Sequence, residues 1–169
     1  MKLMIEQMPD LQALYIRQLR LLLSAEEMIA IKTQMLIDAA TDPELHQALR
    51  DHLHEDDGHA ARLRDILTRI TGKADPLKCK VIYALFDEAE DLMEDAGHES
   101  VRNVILIAAA QRIEHYEIAA YGAVRQFARV LGRTDDAMVL DMTIQEEGHA
   151  DHQLTQIAER INPAAQKAA

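Results

Sequence analysis

The chain has 169 residues, with 18 Lys and Arg against 29 Asp and Glu and a formal net charge of -11. Its basic residues are scattered along the sequence, which argues against nucleic acids and anionic membranes as partners. Aromatic residues make up only 4% of the chain and Trp is absent, so the composition favours a helical core of Leu, Ile, Ala and Met over a sheet.

The length fits one domain, and we predict a single domain over residues 1–169. Cys79 is the only cysteine in the sequence, which suits a reducing compartment. No segment approaches the roughly 18 uncharged apolar residues of a membrane span, and the first residues lack the apolar region of a signal peptide. We therefore expect a cytoplasmic protein.

Capping residues and helix breakers divide the chain into five predicted helices. The first has no internal Gly or Pro, and Thr41-Asp42-Pro43 then provides a capping side chain followed by Pro in the first turn of the next helix. Gly72, Gly97 and Gly132 mark the ends of the next three helices, and the last helix is predicted to end before Asn162-Pro163. The predicted helices cover about residues 10–40, 43–70, 77–96, 100–131 and 135–161.

The spacing of these helices predicts the fold. Four of them are long, and the shorter helix at 77–96 lies within a crossover from Lys73 to Glu99. Two helical hairpins joined by one long crossover are typical of ferritin-like proteins, whereas simple up-and-down bundles have short loops. The sequence therefore predicts an all-α, ferritin-like four-helix bundle with a shorter crossover helix between the second and third long helices.

The inward faces of the four long helices carry acids at a compatible depth. An inward stripe recurs about every 3.5 residues in a bundle, and each long helix has a carboxylate in its stripe. Carboxylates that converge in a core need compensating charge, which a pair of divalent metal ions supplies. The predicted metal ligands are Glu26, Glu55, His59, Glu114, Glu117, Glu147 and Asp151.

The second and fourth long helices leave the choice of ligands open. Residues 56–60, DDGHA, resemble residues 146–150, EEGHA, and the Glu-x-x-His spacing of known two-metal bundles suggests a different phase. The alternative ligands are Asp56, Glu146 and His149, in place of Glu55, Glu147 and His59. Helical phase favours Glu147, because it shares the face of Leu140 and Leu154. The other His residues, His52 among them, receive no role.

Residues 107–122, IAAAQRIEHYEIAAYG, resemble the signature of the YciF/YciE-like bacterial family within the ferritin-like superfamily. Ser24-Ala25-Glu26, residues 52–63 and Glu146-Glu147 followed by Asp151 also match. The resemblance implies a dimeric, stress-associated protein similar in fold to rubrerythrin, whose third helix likewise carries a Glu-x-x-Glu pair. It points to the carboxylates Glu26, Glu55, Glu114, Glu117 and Glu147.

We therefore expect a centre of two divalent metal ions, with iron first and manganese or zinc as alternatives. In this hypothesis the protein is a non-haem di-iron oxidase or peroxidase that binds Fe(II) and reacts with oxygen or peroxide, and its partner is a second copy in a homodimer. Glu117 or Glu55 bridges the metals, and Tyr121 hydrogen-bonds a ligand or donates an electron. The alternative is a non-catalytic structural or interaction protein that keeps the bundle with a structural metal or none.

Overall fold

The computed structural model describes residues 7–166, which form five α-helices. The helices are α1 (Leu11–Ala39), α2 (Pro43–Thr71), α3 (Lys80–Glu94), α4 (Glu99–Val130) and α5 (Thr134–Ala165). Helix α1 packs on α2 and α4, and α5 packs on α4 and α2, while α3 lies against α4 and α1. The predicted all-α, ferritin-like bundle with a short crossover helix is confirmed. The ends of the predicted domain, residues 1–6 and 167–169, lie outside the described residues.

Acidic caps begin the first two helices, the second of them at the predicted capping segment. Asp10 accepts a hydrogen bond of 2.8 Å from the backbone N–H of Ala13, and Asp42 accepts one of 3.0 Å from that of Leu45. These bonds satisfy N–H groups that have no partner inside the helix. Gly72 follows α2 with φ of 79°, a left-handed conformation that glycine adopts without strain.

Two helix boundaries differ from the prediction. Helix α5 continues through Pro163 to Ala165, because a proline this close to a helix end removes little more than one backbone hydrogen bond. Helix α3 begins at Lys80, since the preceding segment is bound to α1. The backbone N–H of Leu77 donates to the carbonyl of Arg20 over 2.9 Å, and Arg20 Nε donates to the carbonyl of Asp75 over 2.8 Å.

Two apolar clusters fill the bundle, with a polar layer between them. On α1 the first cluster includes Tyr15 to Leu23, and the second continues from Ile29 to Ile37. On α2 the order is reversed, as antiparallel packing requires, because Leu45 belongs to the second cluster and Leu63 to the first. The polar side chains between these stretches therefore lie at one level of the bundle. Within residues 7–166, none of the helices has the length and apolar character to cross a membrane.

Asp136 joins three helices at the end of the bundle opposite the α1–α2 turn. Its carboxylate is buried and accepts hydrogen bonds from Tyr15 Oη over 3.2 Å and from Arg133 Nε over 2.6 Å. Arg69 Nη2 of α2 lies 2.9 Å from the other oxygen. Burial, followed by the charge of Asp136, raises the pKa of Tyr15, so its hydroxyl stays protonated and donates.

Asp136→Ala should lower the free energy of unfolding by about 2–3 kcal/mol, because it removes the acceptor of the buried Tyr15 hydroxyl and of Arg133 Nε and one of the two acidic partners of Arg69. Urea denaturation followed by circular dichroism measures this. The matched control is Asp135→Ala at the neighbouring exposed position, which should cost less than about 1 kcal/mol. Equal losses in the two variants would contradict the assigned role of Asp136.

Candidate metal centre

The polar layer contains two groups of metal-ligating side chains contributed by all four long helices. In each group, one nitrogen or oxygen atom from every residue lies within 4.8 Å of the others. The His52 group consists of His52, Glu114, Glu117 and Glu147, and the His59 group consists of Glu26, Asp56 and His59.

Two carboxylates lie between the histidines and connect the groups. Glu147 places Oε1 2.8 Å from His59 Nδ1 and Oε2 3.4 Å from His52 Nε2. Asp56 places Oδ1 3.3 Å from His52 Nε2 and 3.7 Å from His59 Nδ1. Glu114 Oε1 lies 3.2 Å from His52 Nε2. The two groups therefore form one continuous set of oxygen and nitrogen donors.

Most of these donor atoms are unpartnered in the sense that they lie near other ligand atoms but make no hydrogen bond of acceptable geometry. Among residues 7–166, twelve buried side-chain nitrogen and oxygen atoms are unpartnered, and eleven of them belong to the two groups. They include both carboxylate oxygens of Asp56, Glu117 and Glu147 and both ring nitrogens of His52. Buried polar atoms without partners are costly and rare in native proteins. Their concentration here indicates that the layer is built to bind something that supplies positive charge.

Divalent metal ions fit this donor set. Carboxylate oxygens with one imidazole in each group are suitable ligands for iron, manganese or zinc. The five carboxylates carry five negative charges when ionised, and two divalent ions would neutralise four of them. The remaining charge is small enough for a buried site, whereas five ionised carboxylates without metal would repel one another strongly.

Tyr121 orients one of the carboxylates. Its hydroxyl donates a hydrogen bond to Glu26 Oε1, and its ring lies edge-on to His59 with centroids 6.5 Å apart. Burial and the nearby carboxylates raise the pKa of Tyr121 well above its ordinary value, so the hydroxyl remains protonated. The predicted hydrogen bond from Tyr121 to a candidate ligand is therefore present.

Glu146 contacts the ring nitrogen of His59 that points away from the layer, and Arg62 binds Glu146. Its Nε2 lies 2.9 Å from Glu146 Oε2, and Arg62 donates to both oxygens of Glu146, with Nη2 2.9 Å from Oε1. Arg62 Nη1 also donates to Thr143 Oγ1 over 2.9 Å. Such an outer partner fixes the ring orientation of a metal-binding histidine, and here it directs Nδ1 into the layer.

The electrostatics of the layer favour protons when metal is absent. Burial raises the pKa of both Glu26 and Glu114 to about 8, and it raises that of Glu117 well above the ordinary value. Burial opposes the charged form of His59, but the neighbouring carboxylates, with Glu147 first, outweigh it and raise the pKa to about 9. Protons and metal ions therefore compete for the same oxygen and nitrogen atoms.

The structure brings five of the seven predicted ligands into the two groups. They are Glu26, His59, Glu114, Glu117 and Glu147. Each is nearly inaccessible to solvent, as expected for acids placed on an apolar helical face. Their role as metal ligands stays a prediction, but their inward orientation and convergence are present.

The predicted inward position of Glu55 is wrong, and the alternative residue Asp56 occupies it. The side chain of Glu55 is 49% exposed, whereas that of Asp56 is fully buried. An α-helix advances about 100° per residue, so Asp56 lies about 20° from the line of Leu45 and Leu63 while Glu55 lies about 80° away. Both positions satisfy a 3.5-residue repeat, which is why that repeat alone did not separate them.

Asp151 lies outside both groups, at the edge of the buried face of α5. Ala150 and Leu154 continue that face, and Asp151 accepts a hydrogen bond of 3.1 Å from Gln111 Nε2 of α4. The alternative ligand His149 is exposed, and Glu146 pairs with Arg62 instead of joining either group.

Sequence reasoning gave no role to His52, which is central to the larger group. Its position three residues after the buried Leu49 and four before the buried Asp56 was an available signal. A single histidine beside an apolar face is ambiguous by itself, because its role depends on what the facing helices present. Here α4 and α5 present Glu114 and Glu147.

Comparisons with known proteins agree with this architecture. The family model described as "Domain of unknown function (DUF892)" matches residues 10–167. The chain is 34% identical to Protein YciF of Escherichia coli strain K12 over 162 residues, which cover 95% of this chain and 96% of YciF. The crystal structure of YciF, described as a stress protein, superposes with a TM-score of 0.87 at 32% identity, covering 92% of this chain and 99% of that one.

A second solved structure is similar to the same degree. It is YcfI of Rhodopseudomonas palustris, a proposed structural protein, with a TM-score of 0.87 and 29% identity over 89% of this chain and 96% of that chain.

In the presence of a chelator, stability should fall as the pH rises from about 4.5, the ordinary pKa of a glutamate, to about 9, the folded value for His59. Folding raises these pKa values, so each protonated group stabilises the folded state, and that contribution is lost as the pH passes the folded pKa. Urea denaturation across this range measures it. Glu117→Gln should make the free energy of unfolding less dependent on pH, whereas Glu159→Gln, at an exposed position, should leave the dependence unchanged. The same pH dependence in both variants would contradict the role of the buried carboxylates.

Proposed function

Because the chain belongs to the DUF892 family, whose description assigns no activity, we propose its function from the metal centre: the protein binds two divalent ions, iron in the cell, and reacts with oxygen or peroxide during stress. The observation that carries this proposal is the layer of eleven unpartnered donor atoms between two apolar clusters. A bundle with no metal would gain more stability from apolar side chains at this level.

The charge and shape of the layer support two ions instead of one. The His52 group offers three carboxylates and one imidazole, and the His59 group offers two carboxylates and one imidazole. Glu147 presents a different oxygen to each histidine, and Asp56 presents Oδ1 to both, so these two carboxylates would help to hold both ions. In this arrangement Glu117 contributes two unpartnered oxygens, and Tyr121 holds Glu26 in position.

The same donors accept iron, manganese and zinc. We favour iron over zinc because iron adds redox chemistry that zinc lacks. Bound Fe(II) would supply the electrons that reduce oxygen or peroxide. The buried carboxylates would then hold or release protons at their unpartnered oxygens, while the apolar clusters on both sides exclude bulk water. The description of the similar E. coli protein as a stress protein supports a role in oxidative or metal stress.

A non-catalytic structural protein, with a structural metal or none, is the second candidate, and the description of the similar R. palustris protein as a proposed structural protein favours it. Under this alternative any metal bound by the same two groups stabilises the bundle without a redox reaction. The two candidates therefore share the site and differ in what the loaded protein does with oxygen or peroxide.

Anaerobic Fe(II) loading followed by elemental analysis should give two iron ions per chain, one for each group. Asp56→Asn removes a carboxylate that faces both groups and should reduce the iron content by at least half. Asp57→Asn is the matched control, because it makes the same change at the next, exposed position and should leave the content unchanged. Protein that rejects Fe(II), or equal iron contents in the two variants, would contradict the proposal.

Mixing the loaded protein with oxygen or peroxide should then oxidise iron faster than the same concentration of free Fe(II), and faster than iron added to Asp56→Asn. Stopped-flow absorbance measures the rate. Two bound ions that raise the unfolding temperature without faster oxidation would favour the structural role.

A further inference from the structure

The two histidines of the metal centre differ in what surrounds their outward nitrogen. Nε2 of His59 is held by Glu146, which is bound in turn by Arg62. Nδ1 of His52 is buried and has no hydrogen-bond partner among the described residues, and Glu55 Oε2 lies 3.8 Å from it. The layer is therefore closed by an ion pair at His59 and has no such closure at His52.

Solvent exposure shows the same asymmetry. The side chain of His52 is 10% exposed, whereas those of Glu114 and Asp56 are 3% and 0% exposed. Of the seven residues in the two groups, His52 is the one that solvent reaches most. Glu55 lies one helical turn beyond it and is 49% exposed, so its carboxylate connects the surface with the edge of the layer.

We propose that divalent cations enter the metal centre past His52, and that Glu55 together with His52 Nδ1 forms a capture site outside the final ligand set. This inference rests on the proposed function. A carboxylate oxygen and an imidazole nitrogen are ligands for the same ions as the centre itself. The exposed Glu55 keeps its hydration and rotamer freedom, so it binds a cation weakly enough to release it.

His52 can serve both sides of this passage because its two nitrogens point in different directions. Nδ1 faces Glu55, while Nε2 lies within 3.4 Å of acids from α2, α4 and α5. A cation held by Glu55 and Nδ1 is therefore separated from the acids of the metal centre only by the imidazole ring of His52. At His59 the equivalent outward nitrogen already contacts Glu146, and Arg62 adds a positive charge that repels cations.

The test is the rate of Co(II) uptake by the metal-free, full-length protein, followed by stopped-flow absorbance. Glu55→Gln should lower the second-order rate constant by about three- to tenfold, because it removes the charge that attracts and holds the cation. The number of Co(II) ions bound at saturation should stay at two per chain. Glu55→Asp, which keeps a carboxylate, should recover part of the rate.

Glu159→Gln is the matched control, because it removes the same charge from an exposed position on α5 and should leave the rate constant unchanged. An unchanged rate in Glu55→Gln would overturn the capture site while two bound ions would leave the proposed function intact. Loss of one bound ion in Glu55→Gln would also overturn it, since Glu55 would then be a final ligand. Wild-type protein that binds no Co(II) would end both proposals.

Discussion

The structure depends on one electrostatic constraint, which is that five carboxylates and two imidazoles share a buried layer in the middle of the bundle. Their charges cannot coexist there unless something positive is added. Protons do this in the metal-free protein, as the raised pKa values of Glu26, Glu114 and Glu117 indicate. Two divalent ions would do it more completely and would release those protons.

The residues that stabilise the fold lie mostly outside the layer. The apolar clusters on either side contain the large buried side chains, and Asp136 ties α1, α2 and α5 together at one end. Residues just outside the layer then set its geometry. Tyr121 holds Glu26, and Arg62 with Glu146 holds His59. The residues that hold the bundle together are therefore largely distinct from those that form the layer.

Local signals in the sequence were sufficient for the fold. Caps such as Asp10 and Asp42 and the break at Gly72 set the helix ends to within one or two residues. The start of α3 was predicted too early, because contacts with Arg20 of α1 hold the preceding segment outside the helix. Pro163 was read as a stop although a helix end tolerates it.

The candidate site was predictable where an acid interrupts an apolar stripe, as at Glu26 and Glu147. It was misassigned at Glu55, because a 3.5-residue repeat admits two adjacent positions and only the 100° advance per residue favours Asp56. The roles of His52 and of the Arg62–Glu146 pair depend on which side chains face each other across helices, so the place of His52 beside the apolar face of α2 was not sufficient to identify it. The resemblance to the YciF/YciE-like family pointed to the same carboxylates, Glu55 among them, and did not resolve this geometry.

The most direct test of the metal centre is anomalous diffraction from crystals of the iron-loaded protein, recorded on both sides of the iron absorption edge. Two anomalous peaks per chain are expected, one among His52, Glu114, Glu117 and Glu147 and the other among Glu26, Asp56 and His59. Fully loaded crystals with no peak in this layer, or with iron only at exposed acids such as Glu159, would contradict the account.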